Sequence, residues 1–274
     1  MKAAEMFNVA GYGVVVTGGA SGLGLAFAEV LAENGARVTM LDLSSERIDK
    51  EVKRLRAAGY DVNGAVVDVT RRKELIAAID AAARQYGRLD VVFANAGIDS
   101  GPGFVTLDRT KRVPEGAIEN YDDARWDKVI ETNLNSVFTT IKAAAAHMKA
   151  RRSGRIIVTT SAAALLVESG IGSAYMAAKA GAAHFVHAMA LEFAKYNVTV
   201  NAIAPGPFIT NIGGGHAFRP EVQKAFGSTV PLGRMASTEE IKGLALFLAS
   251  PASSFITGTQ IVIDGGCLLG VVYD

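Results

Sequence analysis

Short runs of β-branched apolar residues alternate along this chain with longer stretches that carry the helical period of apolar residues. The strand-like runs cover residues 14–17, 37–42, 61–67, 89–94, 154–160, 198–203 and 260–263, and the helical stretches cover 23–34, 45–58, 71–86, 124–149, 173–196 and 238–250. This alternation is typical of a parallel sheet with helices on both faces, because each parallel connection needs a crossover. The sequence therefore predicts an α/β fold, a doubly wound Rossmann-type sheet of seven parallel strands.

No boundary between two domains is visible in the sequence. The 274 residues are half hydrophobic by count, which is enough for one large core. No proline- or serine-rich linker, internal repeat or low-complexity stretch divides the chain. We therefore predict a single domain that spans residues 1–274.

Two long irregular segments interrupt the alternation. Residues 98–123 form an insert with glycine, proline and many charges, and residues 206–234 include consecutive glycines. Long irregular segments in a compact domain are usually functional, and open parallel sheets bind ligands beyond the carboxyl ends of their strands. Since both segments follow a predicted strand, we expect both at the mouth of a ligand site. The charged residues of the insert are expected to be solvated: Asp108, Arg109, Lys111 and Arg112.

The charge balance argues against several classes of partner. Lysine and arginine number 28 against 27 acidic residues, so a net charge of +1 gives no reason to expect nucleic acid or an anionic membrane. No apolar run approaches the roughly 20 residues that span a bilayer, and residues 1–10 lack the features of a secretory signal. The single cysteine, Cys267, cannot form an intrachain disulfide. We expect a soluble, cytoplasmic protein that binds a small molecule, and we predict no metal site.

A glycine-rich turn, Thr-Gly-Gly-Ala-Ser-Gly-Leu-Gly at residues 17–24, joins the first predicted strand to the first helix. Without side chains, Gly18 and Gly22 allow the backbone to approach a pyrophosphate, and Gly24 allows the helix to pack closely on the sheet. Free N–H groups at the start of the helix attract the anion. Many ordinary turns also contain glycine, but the position between strand and helix predicts a dinucleotide site.

An acidic residue ends the second predicted strand. Asp42 stands where a carboxylate can accept hydrogen bonds from both hydroxyls of the adenosine ribose, and it would repel the 2′-phosphate of NADP. Neither Ser21 nor Leu43 supplies a cation for that phosphate. The sequence therefore predicts NAD as the cofactor. The alternative is that Asp42 only caps the helix that begins near Ser44.

Polar and small residues also end the third and fourth predicted strands. Asp68 and Val69 can contact the adenine through its amine and its ring, although Asp68 would serve equally well as the N-cap of the next helix. Asn95, Ala96 and Gly97 follow the fourth strand, where small residues would let a cofactor lie across the strand ends. The Asn95 amide is expected to tie neighbouring backbone segments together.

A phenol and an ammonium stand four residues apart in a predicted helix. Tyr175 and Lys179 therefore share one helix face, one turn apart. The pKa of a free tyrosine is about 10, but a nearby cation favours the phenolate and lowers that pKa. Tyr175 could then take a proton from an alcohol or return it to a carbonyl, and Lys179 could also bind the nicotinamide ribose. Taken alone, the same pair would also fit an exposed helix surface.

Two further polar residues support the chemical interpretation. Ser161 directly follows a predicted strand, so its hydroxyl should lie at the same sheet edge as the glycine turn and bind the substrate oxygen. A buried Asn133 would need a partner, and a water held between it and Lys179 would supply both a hydrogen bond and a proton path. Three rival hydroxyls are present: Thr159 and Thr160 are expected to belong to the strand, and a helix cap would explain Ser173 equally well.

These features occur together and in order in a known family. The chain resembles the single-domain short-chain dehydrogenases/reductases over nearly its whole length, through the glycine turn at 17–24, Asn95-Ala96-Gly97, Asn133, Ser161, Tyr175-x-x-x-Lys179, Pro205-Gly206 and Asp264-Gly265-Gly266. The resemblance implies hydride transfer with a nicotinamide, a homotetramer, and a catalytic group made of Ser161, Tyr175, Lys179 and a water bound by Asn133.

The same resemblance extends the predicted NAD site. It implies that Pro205, Gly206 and the stretch through Ile209 and Thr210 surround the nicotinamide. The predicted cofactor-binding residues are Gly18, Ser21, Gly22, Leu23, Gly24, Asp42, Asp68, Val69, Asn95, Ala96, Gly97, Tyr175, Lys179, Pro205, Gly206, Ile209 and Thr210.

The chain departs from the family pattern at two places. Ala94 stands where the family often has a second asparagine, a change that removes no catalytic group. The insert at 98–123 is longer than the usual connection, so substrates of relatives with shorter connections do not carry over to this chain.

The sequence predicts reversible hydride transfer between NAD and a secondary alcohol or ketone. Apolar residues at 162–167 and Ile171 could line a pocket that Phe208 and Phe218 close, which favours a cyclic or aromatic substrate. The alternative is a non-catalytic regulatory protein that binds NAD, but binding alone requires no activated phenol.

Overall fold

One parallel sheet forms the centre of the molecule. The computed structural model describes residues 2–99, 101–106 and 110–270. Its strands are β1 Gly13–Thr17, β2 Arg37–Asp42, β3 Val62–Val66, β4 Val91–Ala94, β5 Gly154–Thr159, β6 Val198–Pro205 and β7 Gln260–Ile263. They are ordered β3-β2-β1-β4-β5-β6-β7, and every neighbouring pair is parallel. The predicted doubly wound sheet of seven strands is confirmed.

Helices connect the strands. The α-helices are α1 Ala3–Met6, α2 Gly22–Glu33, α3 Ser45–Ala57, α4 Arg72–Tyr86, α5 Asp123–Ile130, α6 Ser136–Arg151, α7 Ser173–Phe193, α8 Pro220–Gly227 and α9 Lys242–Ala249. Short 3-10 turns lie at Pro114–Gly116, Ile118–Asn120, Ala162–Ala164, Ala194–Tyr196, Thr238–Ile241, Pro251–Ser253 and Cys267–Leu269. A kinked helical segment lies at Ile212–Phe218. Within the described ranges, no helix has the length and apolar character needed to cross a membrane.

Two apolar layers hold the helices against the sheet. On one face, α2, α3 and α9 pack through side chains such as Phe27 and Leu248. On the other face, α4, α6 and α7 pack through Ile79, Met148 and Val186. All five side chains are fully buried. Because both faces of the sheet are covered, its strands consist of nearly continuous apolar residues.

The strand order places a crevice above the middle of the sheet. β1 and β4 are neighbours, although β2 and β3 lie between them in the sequence. In open α/β sheets, such a reversal of strand order opens a crevice beyond the carboxyl ends of the strands. The glycine turn after β1 and the insert after β4 therefore meet at one edge.

One predicted helix differs in a way that bears on the site. The stretch 124–149 is not continuous, because a π-helical turn, Glu131–Asn135, separates α5 from α6. Asn133 lies inside this turn, and π-helical turns are frequent at functional sites. The predicted helix 238–250 likewise divides into the 3-10 turn Thr238–Ile241 and α9.

The insert at 98–123 folds onto the segment before α7. Pro102 forms an antiparallel bridge with Ile171, two residues before the start of that helix. The insert therefore borders the helix that carries Tyr175. Of its charged residues expected to be solvated, Lys111 and Arg112 are exposed, whereas Asp108 and Arg109 lie outside the described residues, as do residues 100 and 107.

Candidate active site

The glycine turn after β1 adopts a conformation that favours glycine. Gly18 and Gly22 have φ angles of +62° and +53°, in the left-handed region. A Cβ on Gly24 would overlap the carbonyl oxygen of Gly18, so α2 packs directly on the turn. Ser21 precedes α2 and, within the described residues, its side chain caps no N–H of the helix. The first turn of α2 thus has the backbone geometry that a pyrophosphate requires, and binding there remains a prediction.

Asn95 ties the glycine turn to two strands. Its Nδ2 donates to the carbonyl oxygens of Thr17 and Gly18 at 3.0 and 3.3 Å. Its Oδ1 accepts from Thr159 Oγ1 at 3.0 Å. A Cβ on Gly18 would lie only 3.0 Å from Ala96 Cα, so the small residue after Asn95 also packs on the turn. Asn95 therefore links the ends of β1, β4 and β5, as its amide was expected to do.

Asp42 is bound by groups of its own chain. The residue is 6% exposed; Oδ2 accepts from the N–H of Ala20 at 3.1 Å, and Oδ1 from the N–H of Ser44 at 3.2 Å. Ser44, rather than Asp42, is the N-cap of α3. Arg47 Nη2 lies 3.3 Å from Asp42 Oδ1. The sequence pattern gave no sign of Arg47, which places a cation beside the predicted ribose site.

Asp68 stabilises a turn rather than the start of α4. Its Oδ1 accepts from the N–H and the hydroxyl of Thr70 at 3.0 and 2.7 Å, and Arg71 is the residue that precedes the helix. The hydrogen bond from the Thr70 hydroxyl lowers the pKa of Asp68. Val69 is buried in the core layer beside α4. Contacts of Asp68 and Val69 with adenine remain predictions.

Tyr175 and Lys179 lie on one face of α7, close to the end of β5. Lys179 Nζ is 5.6 Å from the centroid of the Tyr175 ring. Ser161 follows β5; its hydroxyl accepts from the N–H of Ala163 at 3.1 Å, and it is close enough to the Tyr175 phenol to lower the pKa of that phenol. The structure therefore brings the three predicted catalytic side chains together at the edge of the crevice.

The rival hydroxyls point elsewhere. Thr159 Oγ1 donates to Asn95, and Thr160 Oγ1 donates to the carbonyl oxygen of Ile203 at 2.9 Å. Ser173 is not the expected helix cap, because Gly172 occupies that position before α7. Among the described residues, Ser173 Oγ is buried without a partner.

The protein environment shifts the pKa of both titratable groups. Burial raises the pKa of Tyr175, the hydrogen bond with Ser161 lowers it, and the charge of Asp99 raises it, with a net upward direction. Burial also lowers the pKa of Lys179 from 10.5 to about 8. The protein alone therefore does not produce the predicted lowering of the Tyr175 pKa, because burial of the phenol itself is the largest cause and raises that pKa.

Lys179 is fixed by the backbone around it. Its Nζ donates to the carbonyl oxygen of Thr159 at 2.8 Å, and the residue is 3% exposed. A Cβ on Gly97 would lie 2.5 Å from Asn133 Oδ1 and 3.5 Å from Lys179 Nζ. Gly97 is therefore required for the packing of Asn133 beside Lys179, a role that the sequence did not indicate.

Asn133 is fully buried and satisfied by backbone groups. Its Nδ2 donates to the carbonyl oxygens of Ile98 and Val129 at 3.0 and 3.1 Å, and its Oδ1 accepts from the N–H of Ile98 at 3.2 Å. Both amide hydrogens are used within the protein. Asn133 therefore clamps Ile98 through both polar groups of its side chain, and the water between Asn133 and Lys179 remains a prediction.

The predicted nicotinamide contacts follow β6. Pro205 ends the strand, and Gly206 and Ile209 are fixed by backbone hydrogen bonds. Thr210 is 8% exposed, and its Cβ lies 3.4 Å from the position that a Cβ on Gly22 would take. The segment after β6 therefore lies against the glycine turn.

The two aromatic residues expected to close the pocket are differently placed. Phe208 is 6% exposed and packs in the core layer of α2 and α9, so its predicted closing role is wrong. Phe218 is 56% exposed and borders a groove along α2 with Leu25 and Ile209. An apolar side chain has the same sequence signature in a core as in a lid.

A charged pair beside the site was not indicated by the sequence pattern. Arg125 Nη2 lies 3.6 Å from Asp99 Oδ1, and the Asp99 charge acts on Tyr175. The sequence contains only an indirect sign of this pair, the glycines at positions 101 and 213. Without side chains, Gly101 and Gly213 leave the space that the two charged side chains occupy. Sequence spacing alone connects neither glycine with either charge.

Comparisons with known proteins agree with this arrangement. Residues 18–267 match the family described as "Enoyl-(Acyl carrier protein) reductase". The chain is 37% identical over 252 residues to the cis-4-hydroxycyclohexanecarboxylate dehydrogenase of Sinomonas cyclohexanicum, with 92% of this chain and 94% of that protein covered. It is 32% identical over 266 residues to the gluconate 5-dehydrogenase of Gluconobacter oxydans, with coverage of 97% and 98%. The crystal structure of a gluconate 5-dehydrogenase from Burkholderia cenocepacia in complex with NADP and tartrate superposes with a TM-score of 0.86 at 30% identity, with coverage of 98% and 100%.

Proposed function

This chain belongs to the short-chain dehydrogenase/reductase family, and on that premise we propose that it oxidises a cyclic secondary alcohol with NAD. Its relatives are dehydrogenases and reductases that act on CH–OH groups, and the chain is an oxidoreductase of this kind. These relatives do not support the alternative of a regulatory protein that only binds NAD. The observation that carries the proposal is the group of Ser161, Tyr175 and Lys179 beside the glycine turn.

We assign proton transfer to Tyr175. In alcohol oxidation its phenolate takes the proton of the carbinol, and in ketone reduction the phenol returns it. Ser161, which shares a hydrogen bond with Tyr175, binds the substrate oxygen beside the phenol. When bound, NAD would supply the acceptor for the hydride of the carbinol carbon and a positive charge that favours the phenolate.

Lys179 has two tasks in this proposal. Its charge favours the phenolate, and its ammonium binds the nicotinamide ribose. An ammonium carries three hydrogens, and the bond to Thr159 fixes its position while leaving others for the ribose. Asn133 positions Ile98 and Gly97, and through them the wall next to Lys179.

NAD is proposed over NADP because of Asp42. This carboxylate ends β2 and would meet a 2′-phosphate with like charge. NADP is a second candidate because Arg47 lies 3.3 Å from Asp42, and its guanidinium could pair with the phosphate if it left the carboxylate. The Burkholderia structure contains NADP, so the second candidate also has support from a relative.

The apolar surface after Ser161 supports a cyclic substrate. Leu165 and Val167 are 56% and 81% exposed, whereas Ala162 and Ala163 are buried. An exposed apolar surface next to a catalytic hydroxyl suits a ring better than a polyol. The Sinomonas relative is named for a hydroxycyclohexanecarboxylate, and the Gluconobacter relative for gluconate.

We also propose that the chain forms a homotetramer in the cytoplasm. The family resemblance implies the tetramer, and the outer side of α7 carries an apolar residue, Leu191, that is 83% exposed and suits an interface between copies. The single cysteine fits a reducing compartment. Size-exclusion chromatography with light scattering tests the tetramer, and a monomer at micromolar concentration would contradict it.

A steady-state assay of reduced-cofactor formation tests the proposed reaction. The substrates are cis- and trans-4-hydroxycyclohexanecarboxylate, cyclohexanol and gluconate, each with NAD and with NADP. We expect a cyclic alcohol with NAD to give the highest kcat/KM. A higher value for gluconate would overturn the cyclic substrate, and a higher value with NADP would overturn the cofactor assignment.

A further inference from the structure

Asp99 and Arg125 form a charged pair beside the crevice. Asp99 Oδ1 lies 3.6 Å from Arg125 Nη2, and the two side chains are 40% and 47% exposed. The same Oδ1 accepts the N–H of Gly101 at 2.9 Å. Asp99 belongs to the segment after β4, and Arg125 belongs to α5. The pair therefore joins two elements that border the Tyr175 helix.

Two glycines leave room for these side chains. A Cβ on Gly101 would overlap the Arg125 guanidinium, and a Cβ on Gly213 would overlap Asp99 Oδ2. Both glycines also have left-handed φ angles, +74° and +68°. Since Gly213 lies in the 206–234 segment, Asp99 contacts both irregular segments. The backbone thus holds the pair in a defined place.

The chain also holds the residue before Asp99 against Tyr175. Asn133 bonds both the N–H and the carbonyl oxygen of Ile98, the residue directly before Asp99. Ile98 packs in the same apolar cluster as Tyr175, together with Trp126, which follows Arg125 on α5. Burial and then the charge of Asp99 raise the pKa of Tyr175, against the hydrogen bond from Ser161.

We propose that Asp99 is a positioning residue for proton transfer. Its negative charge acts on the Tyr175 phenol, and the positive charge of Arg125 partly offsets that effect. This inference rests on the proposed role of Tyr175. A carboxylate near the phenol opposes loss of the proton and so favours the form that donates to a ketone. The positive charge of Arg125 offsets part of this effect of the carboxylate. The balance of charges in the pair thus adjusts the pH range in which the alcohol is oxidised, a range that burial of the phenol moves most.

Further titratable groups belong to the elements around the phenol, among them Asp127 and Lys128 on α5. Lys179 lies on α7 itself, Tyr121 joins the same apolar cluster from the insert, and Glu168 precedes α7 with its N–H donating to Met176 Sδ at 3.4 Å. The variants of Asp99 and Arg125 keep all of these residues, so they change only the charges of the pair.

The experiment compares Asp99→Asn, Arg125→Gln and the double variant, with NAD and cyclohexanol. Asp99→Asn keeps an oxygen for the Gly101 N–H but removes the charge. In the pH profile of kcat/KM for alcohol oxidation, the acid limb of this variant should move to lower pH. At a given pH on that limb, kcat/KM should be about three- to tenfold higher than in the wild type. Arg125→Gln should move the limb to higher pH, and the double variant should return close to wild type.

The control is Asp123→Asn, which removes an exposed carboxylate from α5, and we expect it to leave the profile unchanged. A shift with Asp123→Asn as large as that with Asp99→Asn would overturn the inference, because the effect would then be a general one of surface charge.

A direct titration separates this inference from the proposed function. The phenolate absorbance of the NAD-bound enzyme minus that of Tyr175→Phe reports ionisation of Tyr175 without turnover. Opposite displacements in the two single variants support the inference. An unmoved titration, displacements in the same direction, or a moved titration with an unmoved rate profile would overturn it. Full turnover by Tyr175→Phe would instead overturn the proposed function, and the inference with it.

Discussion

Lys179 Nζ lies 5.6 Å from the centroid of the Tyr175 ring while it donates a hydrogen bond to the backbone of Thr159. The ammonium is therefore placed to act on the phenol through its charge. Holding it there is unfavourable, because desolvation lowers the pKa of Lys179 to about 8. A buried cation kept at such a cost indicates a functional rather than a stabilising role.

Replacement of Lys179 by methionine should stabilise the folded protein at neutral pH. Because the pKa falls from 10.5 to about 8 on folding, the unfolded chain binds the proton more tightly, and the wild type loses stability as pH falls from 10.5 to 8. Below pH 8 the wild type carries the full desolvation penalty, about 3 kcal/mol of unfolding free energy. The variant avoids this penalty but loses a hydrogen bond worth about 1 kcal/mol, so its expected gain in stability is the difference between the two. Urea unfolding at pH 7 and 9.5 measures it.

The stability advantage of Lys179→Met should shrink between pH 7 and 9.5. Tyr175 does not mask this trend, since its raised pKa affects stability only above the ordinary value of 10. Lys53→Met replaces an exposed lysine on α3 and should show no such trend. An advantage that stays constant with pH would contradict the lowered pKa.

Lys179→Ala should depress alcohol oxidation and move its pH optimum upward. Without the ammonium, the phenolate forms only at higher pH, and the ribose loses a donor. The pH profile of kcat/KM with NAD measures the change, with Lys53→Ala as the control. An unaltered profile would leave Lys179 as a structural residue.

Asp42→Ala should weaken the preference for NAD. Loss of the carboxylate removes both the ribose acceptor and the repulsion of a 2′-phosphate, so we expect the NAD-to-NADP ratio of kcat/KM to fall at least about tenfold. Arg47→Gln removes the neighbouring cation and should lower kcat/KM for NADP alone. An unchanged ratio in Asp42→Ala would refute the assignment of Asp42.

Gly97→Ala should impair catalysis and stability together. The new Cβ would lie 2.5 Å from Asn133 Oδ1, so Asn133, which packs beside Lys179, must shift. Overpacking of this kind costs about 1–3 kcal/mol. Gly243→Ala is the matched control, because nothing lies within 4 Å of its Cβ position on α9, and it should add about 0.5–1 kcal/mol of stability with activity retained. Equal thermal stability and activity in the two variants would contradict the packing role of Gly97.

The sheet and the local motifs could be predicted because their signals are local. A buried parallel strand is apolar along its length, and the predicted end of β6 at residue 203 differs from the observed Pro205 by only two positions. Tyr175 and Lys179 share a face by helix geometry alone. The carboxyl ends of parallel strands then bring Ser161 to the same edge as the glycine turn.

What could not be predicted are contacts between segments far apart in sequence. Asp99 reaches Arg125 and the backbone at Gly213, and no spacing rule connects these positions. The partners of Asn133 depend on a π-helical turn that helix periodicity does not reveal. Phe208 carries no mark that separates a core residue from a lid residue, which is why its burial was unforeseen.

Tyr175→Phe is the most direct test of the proposed chemistry. The ring remains in its apolar cluster, so only the hydroxyl is lost, and the Kd for NADH from fluorescence titration should stay within about twofold of wild type. Stopped-flow absorbance should show kcat for alcohol oxidation falling by about 10²–10⁴-fold, the usual contribution of a positioned proton acceptor. Turnover within about tenfold of wild type, at unchanged NADH affinity, would contradict the assignment of proton transfer to Tyr175.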